Sequence, residues 1–344
     1  MAKTQVPTDN CVHDQRKECS YAAGMANSWW LSPRCLPHPE LGSDATGIPL
    51  AKKMGTRSED HKTRGQFMRT GTTIQAVLSV GLLLTAGFHS VGYAQQSPES
   101  SRDNSSHCVR NIVLVHGAWA DGSSWSGVIP LLEADGYHVV SVQLPLTSLT
   151  DDDAVTERAI TRITTAYPGP VLLVGHSYGG VVIGDTPGND PNVAGLVYVA
   201  AFAPDSGESA LSLPGTLKTP SPITPFLVFD TAGQFVTISP KGVSEAFAQD
   251  LSKREQVQLT ATQGPASVAV LAATPTVIPA WRTKPSWFIV SAQDKAITAG
   301  LEKSMAERIG ATTITLPTCH VAMLQEPHKV AEFIEQAATS IGSR

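Results

Sequence analysis

From Val109 onward, short apolar runs alternate with amphipathic segments almost to the end of the chain. "VRNIVLVHG" is an apolar run of strand length, and "SSWSGVIPLLEADG" carries apolar residues at helical spacing before meeting Gly136 as a stop. "YHVVSVQL" predicts a second strand. "DDDAVTERAITRITTAY" opens on aspartates suited to a helix N-terminus and closes before Pro168. "PVLLVG" predicts a strand, a helix starts at the "HSYGG" turn, and "VAGLVYVAAF" predicts another strand. The rhythm lapses over residues 204–280, which are rich in Pro, Gly, Ser and Thr and hold short helical pieces such as "GVSEAFAQDLS" and "REQVQLTATQ". It returns with "PSWFIVSAQD", "AGLEKSMAERIG", "ATTITLP" and "HKVAEFIEQAATSIG". Strands alternating with helices predict an α/β fold, a mostly parallel sheet covered on both faces, with the middle segment inserted as a cap over the sheet's carboxyl edge.

The N-terminal third follows another pattern. "MRTGTTIQAVLSVGLLLTAGFHSVGYAQQ", from Met68, has a basic residue at Arg69, an apolar core over 74–87 and small residues at Gly92 and Ala94. This is the layout of an export signal over 68–94, cleaved after Ala94; its apolar core is short of the about 20 residues of a membrane span. The expectation is a protein exported to a periplasm or beyond the cell, with no stable membrane insertion after cleavage. Residues 1–67 show no sustained apolar period and read either as an extension ahead of the true start at Met68 or as a disordered segment; 95–108 read as a linker.

Composition adds limits. Of 344 residues 42% are hydrophobic, ample for a core, and the net charge of −5 offers no basic footprint for nucleic acid. Residues 1–67 carry 9 of the 25 basic and 7 of the 30 acidic side chains, which leaves 16 against 23 in the rest. After the signal only Cys108 and Cys319 remain. They fall at opposite ends of the predicted sheet, farther apart than the about 7 Å a disulfide spans, so both are expected to stay unpaired.

Gly175-His176-Ser177-Tyr178-Gly179 fits G-x-S-x-G between a predicted strand and a predicted helix, the context that makes the motif a nucleophile elbow. A serine hydroxyl needs a base to take its proton, and on such a scaffold acid and base follow the serine in that order. Of the six histidines after the signal, only His320 falls in a loop between a late strand and the final helix. His138 and His328 fall within elements, and His116 and His176 sit in turns as supports. Asp294 ends the strand "WFIVSAQ", 26 residues before His320, and is the favoured acid; Asp205, after "VYVAAFAP", is the competing one. Oxyanion donors are expected from the backbone N–H groups of Tyr178 and of Ala118 in the "VHGAW" turn, where Gly117 lets the chain approach.

Together these residues resemble the α/β-hydrolase superfamily, specifically its small serine esterase branch, which includes plant methyl-ester esterases and bacterial relatives. The resemblance runs over 109–341 through "VLVHGAWADGSSW", "LLEADGYHVV", "GHSYGG", "VYVAAFAPDSGES" and "CHVAMLQEP". It implies an α/β-hydrolase fold with a helical cap inserted after the sixth strand, a Ser177–Asp294–His320 triad, and neither cofactor nor metal. Hydroxynitrile lyases similar to this branch carry lysine and threonine where this chain has Val321 and Gly117, and haloalkane dehalogenases carry aspartate in place of Ser177, so the implied activity is hydrolysis of a small-molecule ester. Trp119, Phe226 and Phe229, with Leu227 and Phe247, are the expected apolar lining of the substrate pocket. A ligand receptor on the same scaffold stands as the alternative, and the sequence does not determine the oligomeric state.

Overall fold

The computed structural model describes residues 108–186, 190–216 and 219–342; the segments read as extension, export signal and linker lie outside these, apart from Cys108. β1 (Asn111–Val115), α1 (Ile129–Ala134), β2 (His138–Ser141), α2 (Leu149–Ala166), β3 (Val171–His176), α3 (Gly179–Asp185) and β4 (Val193–Val199) follow one another as the alternation predicts. An excursion then holds β5 (Leu227–Phe229), β6 (Phe235–Ile238), α4 (Pro240–Gly242), α5 (Lys253–Thr262), β7 (Ala266–Ser267) and α6 (Val268–Ala272). The chain returns with β8 (Ser286–Ser291), α7 (Ala299–Arg308), β9 (Thr312–Leu316), α8 (Ala322–Gln325) and α9 (Pro327–Gly342).

Six strands form one sheet in the order β2-β1-β3-β4-β8-β9, every neighbouring pair parallel, so all their carboxyl ends fall on one edge. The strands read as continuous apolar runs because alternate side chains enter two separate cores. Val113, Val115, Leu173 and Val290 pack with Ile160, Val182 and Leu301 on one face. Ile112, Leu114, Leu172 and Ile289 pack with Leu132, Phe333 and Ile334 on the other. α2 starts at Ser148, whose hydroxyl accepts the Asp151 N–H at 3.1 Å, with Asp151 and Asp152 in the first turn. α1 stops at Gly136, which takes φ 80° just past the C-cap.

Two expectations about the insertion are revised. It follows the fourth strand of the described sheet, not the sixth, because no described strand precedes β1. Nor is it purely helical: β5, β6 and β7 form a three-stranded antiparallel sheet. "LVF" and "FVTI" flank a turn in which Gly233 takes φ 68° and pair as an antiparallel hairpin, in segments too short for helical periodicity.

Cys319 is a free, buried thiol, so the two cysteines do not pair with each other. Cys108, however, is disulfide-bonded, which corrects the expectation that it stays unpaired. The length of the sheet excludes Cys319 as its partner and bears on no other cysteine.

Helix α3 meets the segment after β4 so closely that glycine is required at one position and not at another one turn later. A Cβ at Gly180 would overlap the Phe202 carbonyl oxygen and lie 2.9 Å from Ala201 Cβ, whereas one at Gly184 would find only the Tyr198 hydroxyl at 3.7 Å. Gly180→Ala is therefore expected to destabilise the fold by about 3 kcal/mol or more, and Gly184→Ala to be neutral or to stabilise it by up to about 1 kcal/mol. Urea unfolding of both variants checks this; equal effects would contradict it.

Candidate active site

β3 delivers Ser177 to the carboxyl edge of the sheet, and the turn into α3 forces it to φ 52°, a left-handed conformation that costs a non-glycine residue on the order of 1 kcal/mol or more. The surroundings hold it there. Ser177 N–H donates to the Val199 carbonyl at 3.3 Å, and the Ser177 carbonyl accepts from Gly180 N–H at 3.0 Å and Phe202 N–H at 3.1 Å. The flanking glycines are dictated by space. A Cβ at Gly175 would lie 2.5 Å from the Gly179 carbonyl oxygen, and one at Gly179 would lie 2.6 Å from that of Val115.

The turn after β1 lies against this elbow. A Cβ at Gly117 would sit 2.6 Å from Ser177 Cβ, which places Ala118, the next residue, beside the serine. His116 fixes the turn as a neutral ring: Nδ1–H donates to the Gly117 carbonyl at 2.8 Å and Nε2 accepts the Leu144 N–H at 2.9 Å. Burial holds its pKa below the ordinary histidine value. Trp119 follows at φ 59°, its indole N–H donating to the Val236 carbonyl at 2.8 Å, so the turn is tied to β6 of the insertion. Among the described residues neither the Ala118 nor the Tyr178 backbone N–H is engaged by another protein group, which leaves both available to an incoming oxygen.

Asp294 follows β8 and His320 follows β9, and their side chains meet at the same edge, His320 Nδ1 lying 2.5 Å from Asp294 Oδ2 with both groups buried. The other carboxylate oxygen, Oδ1, accepts N–H bonds from Ala296 at 2.6 Å and Ile297 at 3.0 Å. Burial pushes the Asp294 carboxyl up, but the charge and hydrogen bond of His320, with the bonds from Glu302 and Ile297, outweigh it and hold the group below the usual carboxylate range. With Nδ1 committed to Asp294, only Nε2 is left to act as a base. His176 braces the loop from beneath, its Nε2–H donating to the His320 carbonyl at 3.0 Å while Nδ1 stays buried without a partner. Burial, then the proximity of His320, drives His176 well below the ordinary histidine value, so it serves as a neutral support.

The structure thus brings Asp294 and His320 together and sets Ser177 beside the Ala118 turn. Among the described residues no hydrogen bond joins Ser177 Oγ to the His320 ring. Asp205 lies elsewhere: it pairs with Arg282, whose hydrogen bond holds its carboxyl down. The apolar residues of the insertion also separate. Phe229 is 54% exposed on β5, and Phe226 packs over Gly242 beneath the Lys241 ammonium, so neither is placed at His320. Phe247 is. It closes a π-helical turn at Val243–Phe247, and its ring centroid lies 5.0 Å from that of His320 and 6.3 Å from that of Trp119. Among the described residues no group of His, Cys, Asp or Glu is arranged to hold a metal ion, and no helix is long and apolar enough to cross a membrane.

A sequence profile of the alpha/beta hydrolase family matches residues 112–333, from β1 into the last helix. The chain belongs to this family. It is 36% identical to a pyrethroid hydrolase of Sphingobium wenxiniae over 118 residues, 31% of this chain and 42% of that one. With methylesterase 1 of Arabidopsis thaliana it shares 32% over 111 residues, again 42% of the relative and 29% of this chain. The chain therefore spans less than half the length of these two relatives. With salicylic acid-binding protein 2 of Nicotiana tabacum it is 27% identical over 258 residues, 67% of this chain and 97% of that protein. Among solved structures, polyneuridine aldehyde esterase superposes with a TM-score of 0.59 at 21% identity, covering 67% of this chain and 99% of the other, a likeness of fold.

One residue beside this alpha/beta hydrolase site escapes the sequence reading. Glu302 on α7 is fully buried and accepts the Ser291 N–H at 2.9 Å. A helical-face analysis of α7 would have found it, since Leu301, Glu302, Met305 and Ala306 form one buried stripe that contains a single acid.

Cys319, next to His320, is the remaining reactive side-chain type here. Burial pushes its thiol up to about 11, so it is a packing residue. Iodoacetamide at about pH 8, below that thiol's range, should leave the Cys319 peptide unmodified in the folded chain and modify it in guanidinium. Modification of folded Cys319 at the unfolded rate, read by peptide mass mapping, would contradict its burial.

Proposed function

We propose that the protein is a serine hydrolase that cleaves small carboxylic esters through an acyl-enzyme formed on Ser177. The observation that carries this reading is the buried 2.5 Å contact of His320 with Asp294, at the same sheet edge as the left-handed Ser177. Asp294 holds the tautomer in which Nε2 is bare and stabilises the ring once it is charged. Nε2 takes the proton of Ser177 Oγ as the oxygen adds to the ester carbonyl, and the Ala118 and Tyr178 N–H groups hold the developing oxyanion. The proton passes from His320 to the departing alcohol oxygen as the C–O bond breaks. Water, deprotonated in turn by His320, adds to the acyl carbonyl; collapse returns the proton to Ser177 and releases the acid.

The relatives named as a pyrethroid hydrolase and a methylesterase support ester cleavage as the reaction class. The Phe247 and Trp119 rings beside His320 support an apolar group on the substrate. The segment over 68–94 supports export of the mature enzyme. A second reading, a small-molecule receptor, draws on the relative named as a salicylic acid-binding protein.

On p-nitrophenyl acetate and butyrate the wild type should turn over repeatedly, and Ser177→Ala should lose roughly 10⁴ to 10⁶-fold in kcat/KM. Near-full activity in that variant would overturn the proposal. Saturable binding without turnover of any ester in a chromogenic panel would favour the receptor.

A further inference from the structure

Asp294 has a buried acidic neighbour, Glu302, that the proposed reaction does not itself use. Glu302 Oε2 accepts the Ser291 N–H at 2.9 Å, while Oε1 is buried and accepts no hydrogen bond from the described residues. The Ser291 carbonyl accepts the Asp294 N–H at 3.2 Å while the Ser291 N–H binds Glu302, so one residue holds the two acids side by side and their carboxyls interact. Two carboxylates cannot share such a contact with both ionised: neither can donate, and the like charges repel in a medium that screens them poorly. One of the two must carry a proton. Asp294 already receives two backbone N–H bonds and faces His320, an environment made for a carboxylate. Glu302 receives one N–H and no cation.

Resting on the reading of Asp294–His320 as the acid and base of an esterase, we propose that Glu302 is a positioning residue, a neutral carboxylic acid whose Oε1–H donates to the Asp294 carboxylate. Oε1 then has a partner, and Asp294 is held by its two backbone bonds, His320 and Glu302. Burial, followed by the charge of Asp294, drives the Glu302 carboxyl well above its ordinary range, in the same direction. The titratable groups around the pair are few. His320 lies on the far side of Asp294, His176 beneath His320, and Cys319 beside it. Ser291 and Thr318 close the floor with a neutral hydroxyl pair at 3.0 Å. The bond from Glu302 spreads the charge of Asp294 and makes it a weaker base, so the imidazole proton remains on Nδ1 and Nε2 is free at lower pH.

The test compares Glu302→Gln, whose amide can both accept from Ser291 and donate to Asp294, with Glu302→Leu, which can do neither. The kcat/KM–pH profile on a p-nitrophenyl ester is read with infrared difference spectra of wild type against Glu302→Gln near neutral pH. Glu302→Leu should lower kcat/KM roughly tenfold, as for a lost hydrogen bond to a charged group. It should also move the acid limb to higher pH, because an unassisted Asp294 holds the charged His320 ring more tightly. Glu302→Gln should restore both. The difference spectrum should contain the carbonyl stretch of a buried carboxylic acid, lost in the Gln variant. If Glu302 were ionised, both variants would remove a negative charge, the acid limb would move to lower pH and the acid band would be absent; either result overturns the proposal. So does a loss of stability in Glu302→Leu with an unmoved limb. The infrared reading stands whether or not the wild type hydrolyses esters, so failure of the esterase reading is recognised separately.

Discussion

A carboxylate with no exposure to water is costly unless every lone pair is met, and Asp294 sits in that position. Its solution draws in most of the local architecture. The loop after β8 turns back so that the Ala296 and Ile297 N–H groups reach one oxygen. The other is left for His320, and α7 contributes Glu302 from behind. Because β4, β8 and β9 run parallel, the loops carrying Asp294 and His320 emerge at the edge where β3 delivers Ser177.

Close approach is the second constraint. The Ser177 turn is strained, and it is held by three backbone hydrogen bonds and by contacts that admit no Cβ at positions 117, 175 and 179. Here glycine is selected by neighbouring atoms more than by dihedral freedom, since none of the three takes a positive φ. The same tight region carries two histidines that serve as braces. His116 shapes the turn after β1, and His176 supports the loop of His320. The insertion joins in through Trp119, bonded to β6, and through Phe247 against the His320 ring.

Much of this could be read in the sequence because the informative signals were local or ordered along the chain. The alternation of elements and the order of Ser177, Asp294 and His320 along the chain needed no knowledge of packing. The insertion was less legible. Its aromatic residues announced an apolar surface but not its direction, so Phe229 proved exposed while Phe247 faces His320. Its short antiparallel strands lay below the length at which periodicity distinguishes strand from helix. Asp205 and Asp294 both follow strands of the sheet, and only their partners in space, Arg282 for one and His320 for the other, tell them apart. Glu302 contacts Asp294 across a loop and a helix turn, a relation that spacing alone does not express.

The central claim is that Ser177 is a nucleophile activated by the Asp294–His320 pair. Reaction with a fluorophosphonate probe tests it without any assumption about the natural ester. The account predicts one covalent adduct by intact mass, mapped to the peptide carrying Ser177, formed rapidly by the wild type and lost in His320→Gln. An adduct on another residue, or labelling of Ser177 at an unchanged rate without His320, would contradict it.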